Sequence, residues 1–272
     1  MNPDPETPAP SYPPRQHTAG ADAVHGVPVR CWRLALATVL MVKGLVIALL
    51  LLKRADVRLR NRHMQPWCAA LLYAFDVELT VHGSLPRDDA PVFIACNHVS
   101  WIDIWLINAV CPSLFVAKAE IRQWPLVGWL AARVGTLFIE RARRADTRRV
   151  NDRIAARLSV VGERISVFPE GTTTDGSIVL PFHASLFQPA VAAHARVYPL
   201  ALRYRDATGA RSDAPAYTGD LSLIASMWRI AGARDLRAEL HFLEPIDPDT
   251  LARRDLAALA QARVAQAING WS

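Results

Sequence analysis

The feature of this sequence that most constrains its fold is the alternation of short β-type runs with helical stretches after Asp76. Runs rich in apolar and β-branched residues are typical of strands. We expect strands at residues 77–82, 91–96, 114–117, 136–139, 165–168, 195–204 and 238–243. Helical patterns begin at Trp101 and span residues 146–160, and an amphipathic helix at residues 248–268 closes the chain. Strands interleaved with helices predict a layered α/β domain, which we assign to residues 78–272.

The chain before this domain divides into a polar tail and an apolar segment. Residues 1–30 are rich in proline and poor in apolar side chains, which predicts a disordered tail. This tail is not a signal peptide, because the apolar run begins too late and no basic region opens the chain.

Residues 34–52 are apolar apart from Thr38, Lys43 and Gly44. This length is close to the roughly 20 residues that a transmembrane helix needs. A second apolar segment at residues 67–75 follows Pro66. Basic residues flank the first run on both sides, so a helical hairpin that enters one leaflet competes with a clean crossing. We assign residues 31–77 to a membrane anchor, and a buried core helix is the alternative.

The charge balance is basic, with 31 Lys and Arg against 25 Asp and Glu, and a formal net charge of +6. This surplus predicts an anionic partner, either nucleic acid or a membrane surface. Aromatic residues do not interleave with the arginines and an apolar anchor is present, so we expect membrane phospholipids and no nucleic acid. The four cysteines show no metal-ligand spacing, which predicts no zinc site and a reducing compartment.

A polar turn with reactive side chains follows the predicted strand at residues 91–96. It contains Asn97, His98, Ser100 and Asp103. In one interpretation Ser100 and Asp103 form a helix-capping box and His98 is an ordinary loop residue. In the other, Asp103 in the first helical turn holds one imidazole nitrogen of His98, and the other nitrogen acts as a general base.

A second polar turn follows the predicted strand at residues 165–168. Pro169 ends the strand, Glu170 places a carboxylate at the turn, and Gly171 allows close backbone approach. An ordinary loop is the alternative, because Thr, Asp and Gly are common turn residues.

Four motifs together resemble the glycerolipid acyltransferase family, whose best-known members are the 1-acylglycerol-3-phosphate acyltransferases. They cover about residues 80–205 in the family's order. The first is Asn97, His98, Ser100 and Asp103; the second is Gly135, Phe138 and Arg141; the third is residues 168–172; and the fourth is Val197, Tyr198, Pro199 and Leu200.

The resemblance implies an O-acyltransferase that moves a fatty acyl group from acyl-CoA or acyl carrier protein to the free hydroxyl of a lysolipid. His98 is then the general base and Asp103 its orienting carboxylate, with neither residue acylated. The implied substrate-binding residues are Asn97, Ser100, Arg141, Glu170, Gly171 and Thr172. The alternative for Arg141 is one more arginine of a basic surface, and the alternative for Glu170 is a hydrogen-bond anchor at the end of its strand. No metal or organic cofactor is implied, and cytosolic thioesters place the active site on the cytoplasmic side of the inner membrane.

The acceptor expected first is 1-acyl-sn-glycerol-3-phosphate, which yields phosphatidic acid. His183 stands where the family usually has lysine, and Thr173 and Thr174 stand where commoner members have Arg-Ser. These departures remove cationic groups and resemble bacterial members that acylate lyso-ornithine lipid or other lysophospholipids, so both acceptors stay open.

Two other classes of function compete with acyl transfer. A hydrolase would use His98 and Asp103 to activate water, but the chain has no Gly-x-Ser-x-Gly sequence. A catalytically inactive, membrane-bound lipid-binding adaptor would keep the fold without the chemistry, and the intact His98, Asp103 and Glu170 argue against it.

Overall fold

The computed structural model describes residues 24–50, 56–86, 90–123, 127–139 and 144–270. The described residues form eight α-helices and one seven-stranded sheet. The helices are α1 (Val27–Leu50), α2 (Val57–Ala74), α3 (Asp103–Val110), α4 (Val127–Val134), α5 (Arg144–Leu158), α6 (Gln188–Ala192), α7 (Leu223–Gly232) and α8 (Arg253–Asn269). The strands are β1 (Glu78–His82), β2 (Val92–Cys96), β3 (Leu114–Lys118), β4 (Leu137–Ile139), β5 (Arg164–Val167), β6 (Arg196–Arg205) and β7 (Arg237–Phe242).

The strand order of the sheet is β1-β7-β6-β2-β5-β3-β4. Strands β2 to β6 run parallel to one another, while β7 pairs antiparallel with β6 and parallel with β1. Strand β2 lies at the centre, with Ala95 opposite Val167 of β5 and Pro199 of β6. The carboxyl ends of β2, β5 and β6 therefore meet at one edge, where ligand sites of parallel sheets lie.

Helices cover both faces of the sheet, which confirms the layered α/β fold. All five residues of β2 are buried, as expected for a strand covered on both sides. Ile94 belongs to a core shared with α2, α3 and α7. Its neighbour Phe93 points to the opposite face, into a core shared with α5 and α8.

Helix α1 is long and apolar enough to cross a membrane, and only 17% of its most apolar stretch is buried. Val39 and Val42 are 64% and 55% exposed, and both belong to an apolar stripe along the outer face of the helix. The stripe consists of Trp32, Ala35, Val39, Val42, Val46 and Leu49. A core helix would have these side chains covered, so the alternative of a buried core helix is wrong.

The inner face of α1 is fixed to the rest of the molecule. The buried guanidinium of Arg33 donates to the carbonyls of Ala231 and Ala233 and pairs with Asp76 at 2.5 Å. Gly44 lies against the ring of Trp67, where an added Cβ would come within 2.5 Å of the indole. Helices α1 and α2 therefore cross in close contact.

The sequence prediction was wrong at the start of the anchor. Helix α1 begins at Val27, so the assigned boundary between residues 30 and 31 falls inside a helix, while residues 1–23 lie outside the described residues. Helix α2 begins at Val57, capped by Asp56, and continues through Pro66, after which the sequence analysis had placed the second segment. Strand β1 begins at Glu78, where the α/β domain was predicted to begin. Helices α4, α6 and α7 were not predicted.

Candidate active site

The two polar turns of the sequence analysis lie side by side at the carboxyl edge of the sheet. His98 follows the last residue of β2 by two positions, and Glu170 follows the last residue of β5 by three. Because β2 and β5 are adjacent and parallel, both turns leave the sheet in the same direction. The topology thus joins two segments that are about 70 residues apart in the chain.

Asp103 holds the imidazole of His98 as predicted. Its Oδ2 lies 2.8 Å from His98 Nδ1 and accepts from the backbone N–H groups of Val99 (2.8 Å) and Ser100 (2.9 Å). The carboxylate is fully buried at the start of α3. An ionised carboxylate accepts, so Nδ1 carries the donated proton and Nε2 keeps a free lone pair. This is the arrangement of a histidine general base with an orienting carboxylate.

The second oxygen of Asp103 accepts a hydrogen bond from the hydroxyl of Tyr204. Tyr204 lies on β6 and is fully buried, and this burial raises the pKa of its hydroxyl well above 10. The hydroxyl therefore keeps its proton and stays a donor. The sequence analysis did not identify Tyr204, because its strand is separated from the His98 turn by about 100 residues.

The imidazole of His98 is held by stacking as well as by hydrogen bonding. It lies parallel to the ring of Phe168, with a centroid distance of 3.8 Å and an interplanar angle of 6°. Phe168 stacks in turn on Phe115 at 5.7 Å. The His98 side chain remains 19% exposed, so a substrate can reach it.

Glu170 connects the two turns. Its Oε1 accepts from the backbone N–H of His98 at 2.7 Å, and its Oε2 accepts from Leu180 N–H at 2.8 Å. The residue is 4% exposed, and burial raises the pKa of its carboxyl above 4.5. Both oxygens accept hydrogen bonds inside the protein, so the geometry favours the alternative of a hydrogen-bond anchor, while contact of Glu170 with substrate stays a prediction.

The side chain of Asn97, like that of Glu170, makes its hydrogen bonds inside the protein. Its Nδ2 donates to Leu202 O at 2.9 Å, and its Oδ1 accepts from Leu202 N–H at 2.8 Å. The side chain thereby continues the pairing of β2 with β6 past the end of β2. It is fully buried, so Asn97 has a structural role, and its contact with substrate stays a prediction.

Ser100 was interpreted as the N-cap of α3 or as a substrate-binding residue; the structure contradicts the cap, and the contact with substrate stays a prediction. The residue before α3 is Ile102, without a side-chain cap. Only half of the predicted capping box is present, because Asp103 accepts from Ser100 N–H while the buried Ser100 hydroxyl has no hydrogen-bond partner among the described residues.

Two of the remaining predicted residues lie in the second turn. Gly171 has a φ of 73°, and its N–H donates to Phe168 O at 3.1 Å, so the turn needs the left-handed conformation that glycine adopts freely. Thr172 is exposed beside it. Arg141 lies outside the described residues. Strand β4 ends with Ile139 at the carboxyl edge of the sheet, because β3, β4 and β5 are parallel.

The loop after Thr172 is held by its own side chains. Thr173 donates to Tyr217 O, Thr174 N–H donates to His98 O at 2.8 Å, and Asp175 pairs with Arg211 at 2.9 Å. Hydrogen bonds from Ser177 and the pairing with Arg211 lower the pKa of Asp175 to about 2. These contacts attach the loop to the turn that carries His98, and the loop carries an ionised carboxylate.

In the part of the chain that the structure describes, one triad has metal-ligand spacing, and it lies away from this site. His82, Glu239 and His241 share the outer part of the sheet on β1 and β7. Glu239 pairs with Arg203 at 2.7 Å, and the two imidazoles stack face to face at 4.1 Å. The Glu239 carboxylate is therefore already paired with a cation, and this triad lies outside the site at the carboxyl edge of the sheet.

The chain belongs to the acyltransferase family. It matches the Acyltransferase family over residues 78–203, which include His98, Asp103 and Glu170. It is 41% identical to a lyso-ornithine lipid O-acyltransferase of Pseudomonas aeruginosa over 217 residues, covering 79% of this chain and 82% of that one. It is 40% identical to a 1-acyl-sn-glycerol-3-phosphate acyltransferase of Neisseria meningitidis over 184 residues, covering 68% of this chain and 71% of that one.

The fold agrees with a solved acyltransferase. The crystal structure of the 1-acyl-sn-glycerophosphate acyltransferase of Thermotoga maritima superposes with a TM-score of 0.64 and 22% identity, covering 90% of this chain and 95% of that one. The chain is thus an acyltransferase with the sheet-and-helix fold of that enzyme.

Proposed function

We propose that this acyltransferase moves a fatty acyl group from a thioester to the free hydroxyl of a lysolipid. The observation that carries the proposal is the His98–Asp103 pair, with Nδ1 and Oδ2 2.8 Å apart, at the carboxyl edge of the sheet in an acyltransferase fold. Relatives that act on two different lysolipids, one named for lyso-ornithine lipid and one for 1-acyl-sn-glycerol-3-phosphate, support a lysolipid acceptor.

The proposed reaction is direct transfer. His98 Nε2 takes the proton of the acceptor hydroxyl while that oxygen attacks the thioester carbonyl, and Asp103 stabilises the imidazolium that forms. Collapse of the tetrahedral intermediate breaks the carbon–sulfur bond, and His98 returns the proton to the leaving thiolate. The products are an ester and a free thiol, so the reaction needs no metal or organic cofactor.

The first candidate acceptor is 1-acyl-sn-glycerol-3-phosphate, for which Arg141 would bind the phosphate. A guanidinium suits this role because it offers two parallel N–H donors. Replacing Arg141 by Lys, which keeps the charge and removes the fork, would then raise the KM for this acceptor and leave stability unchanged.

The second candidate acceptor is lyso-ornithine lipid, and a specific observation favours it. The loop beside His98 contains no lysine or arginine, and the nearby cation Arg211 is paired with both Asp175 (2.9 Å) and Asp213 (3.2 Å). Such a loop offers little to a phosphate dianion and tolerates a headgroup that carries an ammonium.

We further propose that α1 and α2 enter one leaflet from the cytoplasmic side of the inner membrane. The exposed stripe of α1 would face the acyl chains, and both ends of α1 contact the α/β domain, through Arg33 at one end and through Arg133 to Ala48 O at the other. A helix attached at both ends to one domain favours insertion into one leaflet.

Cys31 provides a test of this topology, because it is exposed while Cys68, Cys96 and Cys111 are buried. A membrane-impermeant maleimide would label Cys31 in inverted vesicles and not in spheroplasts. Labelling from the periplasmic side would contradict the one-leaflet arrangement.

The test of the function uses purified protein, labelled acyl-CoA or acyl carrier protein, and a panel of lysolipids. A diacyl product that needs both donor and acceptor supports the proposal, and the preferred acceptor identifies the headgroup. Free fatty acid as the main product would indicate a hydrolase. Lipid binding without any product would indicate an inactive adaptor.

A further inference from the structure

Asp103 has two sets of partners, of which the family motif accounts for one. Its Oδ2 serves His98 and the two backbone N–H groups of the turn, while its Oδ1 accepts from the hydroxyl of Tyr204 on β6. Both oxygens of this buried carboxylate are therefore occupied. Without the Tyr204 hydroxyl, Oδ1 would be a buried charged oxygen that has lost this hydrogen-bond donor, an energetically costly arrangement in a protein interior.

We infer that Tyr204 is a positioning residue for the acyl transfer: its hydroxyl fixes the Asp103 carboxylate in the orientation that presents Oδ2 to His98 and draws part of the negative charge toward Oδ1. This inference rests on the proposed function, in which His98 is the base. Tyr204 acts through Asp103 and need not contact substrate.

The position of Tyr204 is fixed by the sheet itself. Strand β6 is the neighbour of β2, and Asn97 bonds to both backbone groups of Leu202, two residues before Tyr204. The turn that carries His98 and the strand that carries Tyr204 are thus joined beside Asp103. Tyr204 is 2% exposed, so water cannot readily replace its hydroxyl.

Other titratable groups also face the pair. Glu170 approaches from the turn after β5, and Cys96 lies at the end of β2. Burial raises the pKa of the Cys96 thiol well above its usual value, so Cys96 is neutral, as Tyr204 is. Glu170 is then the second charge beside the pair, and Glu170→Gln is the control for its titration.

The test is Tyr204→Phe, which keeps the buried ring and removes only the hydroxyl. A carboxylate that loses a donor holds the proton of His98 more tightly, so the acidic limb of the pH profile of kcat/KM moves to higher pH. The kcat falls by about 10-fold to 100-fold, the range for one hydrogen bond to a charged group. Site-specific 3-fluorotyrosine at 204, a stronger donor, moves the limb to lower pH.

A double mutant and a control variant separate a positioning role of Tyr204 from a purely structural one. In Asp103→Asn the added Tyr204→Phe change has little further effect on kcat, because the residue acts through the lost carboxylate. Tyr73→Phe, which removes the same hydroxyl from an exposed side chain of α2, leaves the profile unchanged. Thermal unfolding of each variant checks that the fold is intact.

The inference is overturned if Tyr204→Phe lowers the rate with an unmoved acidic limb, or if its effect is fully additive with Asp103→Asn. Wild-type activity in Tyr204→Phe together with an inactive His98→Ala would overturn this inference alone. Wild-type activity in His98→Ala would instead overturn the proposed function.

Discussion

The two turns at the carboxyl edge of the sheet differ in how their polar groups are used. In the turn after β2, Asp103 gathers three donors at one oxygen and leaves the His98 ring 19% exposed. In the turn after β5, Glu170 is almost fully buried, and both of its oxygens accept from backbone N–H groups. The first turn presents a reactive group, and the second holds the first in place.

This difference shows that a motif does not by itself state the role of each residue in it. Both turns carry a carboxylate that the family resemblance links to the reaction. The structure separates them by their partners, since Asp103 contacts the imidazole of His98 and Glu170 contacts its backbone.

The largest expected effect comes from Asp103→Asn, which keeps the shape of the side chain and removes the charge that stabilises the imidazolium. We expect kcat to fall by about 10²-fold to 10⁴-fold, the contribution of a positioned general base. Steady-state transfer at saturating thioester measures it. A kcat close to that of the wild type would show that the first turn is not the reactive one.

Glu170→Gln is expected to act mainly on stability. The side-chain NH₂ of the glutamine faces one of the two backbone N–H groups, which then has no acceptor. A buried donor without a partner costs about 1–3 kcal/mol in the free energy of unfolding. Denaturant unfolding measures it, with the exposed Glu120→Gln as the matched control. If Glu170→Gln abolishes transfer as fully as Asp103→Asn while its stability is unchanged, Glu170 touches substrate and the comparison of the turns fails.

The pH dependence of stability tests the burial of Glu170. Because burial raises its pKa above 4.5, the folded chain binds a proton here in a pH window where the unfolded chain has released it. The contribution of this group to the free energy of unfolding therefore falls as pH rises through that window. Glutamine does not titrate, so the free energy of unfolding of Glu170→Gln does not fall in this way. The difference in free energy of unfolding between wild type and the variant is therefore expected to shrink from pH 4.5 upward. A deficit that grows with pH would contradict the assignment.

The smallest expected effect is a difference in stability between variants of two threonines in the second turn. Thr174 is buried, and its hydroxyl accepts from Gly176 N–H at 3.1 Å, whereas the exposed Thr172 hydroxyl makes no hydrogen bond within the described residues. Thr174→Val is expected to cost about 1 kcal/mol of stability. Thr172→Val costs none and raises the KM of the acceptor. The reverse pattern would assign the supporting role to Thr172.

Local pattern offered the His98–Asp103 contact as one of two interpretations, because five residues of turn and helix start allow it, and the family resemblance decided between them. The layered α/β fold and most strands followed from the same local signals. Tyr204 and the role of Asn97 depend on β6 lying beside β2, and no local pattern states the strand order. Pro66 misled the assignment of α2, since proline usually ends a helix, while here α2 continues past it in contact with α1 and α3.

The central claim, that His98 is the base of acyl transfer to a lysolipid, is tested most directly by comparing wild type, His98→Ala and His194→Asn in donor- and acceptor-dependent formation of diacyl lipid. His194 is an exposed histidine at the opposite edge of the sheet, with a φ of 50° that asparagine tolerates. The account predicts that His98→Ala loses about 10²-fold to 10⁴-fold in kcat, while His194→Asn keeps wild-type activity. Equal diacyl product from His98→Ala and wild type would contradict it.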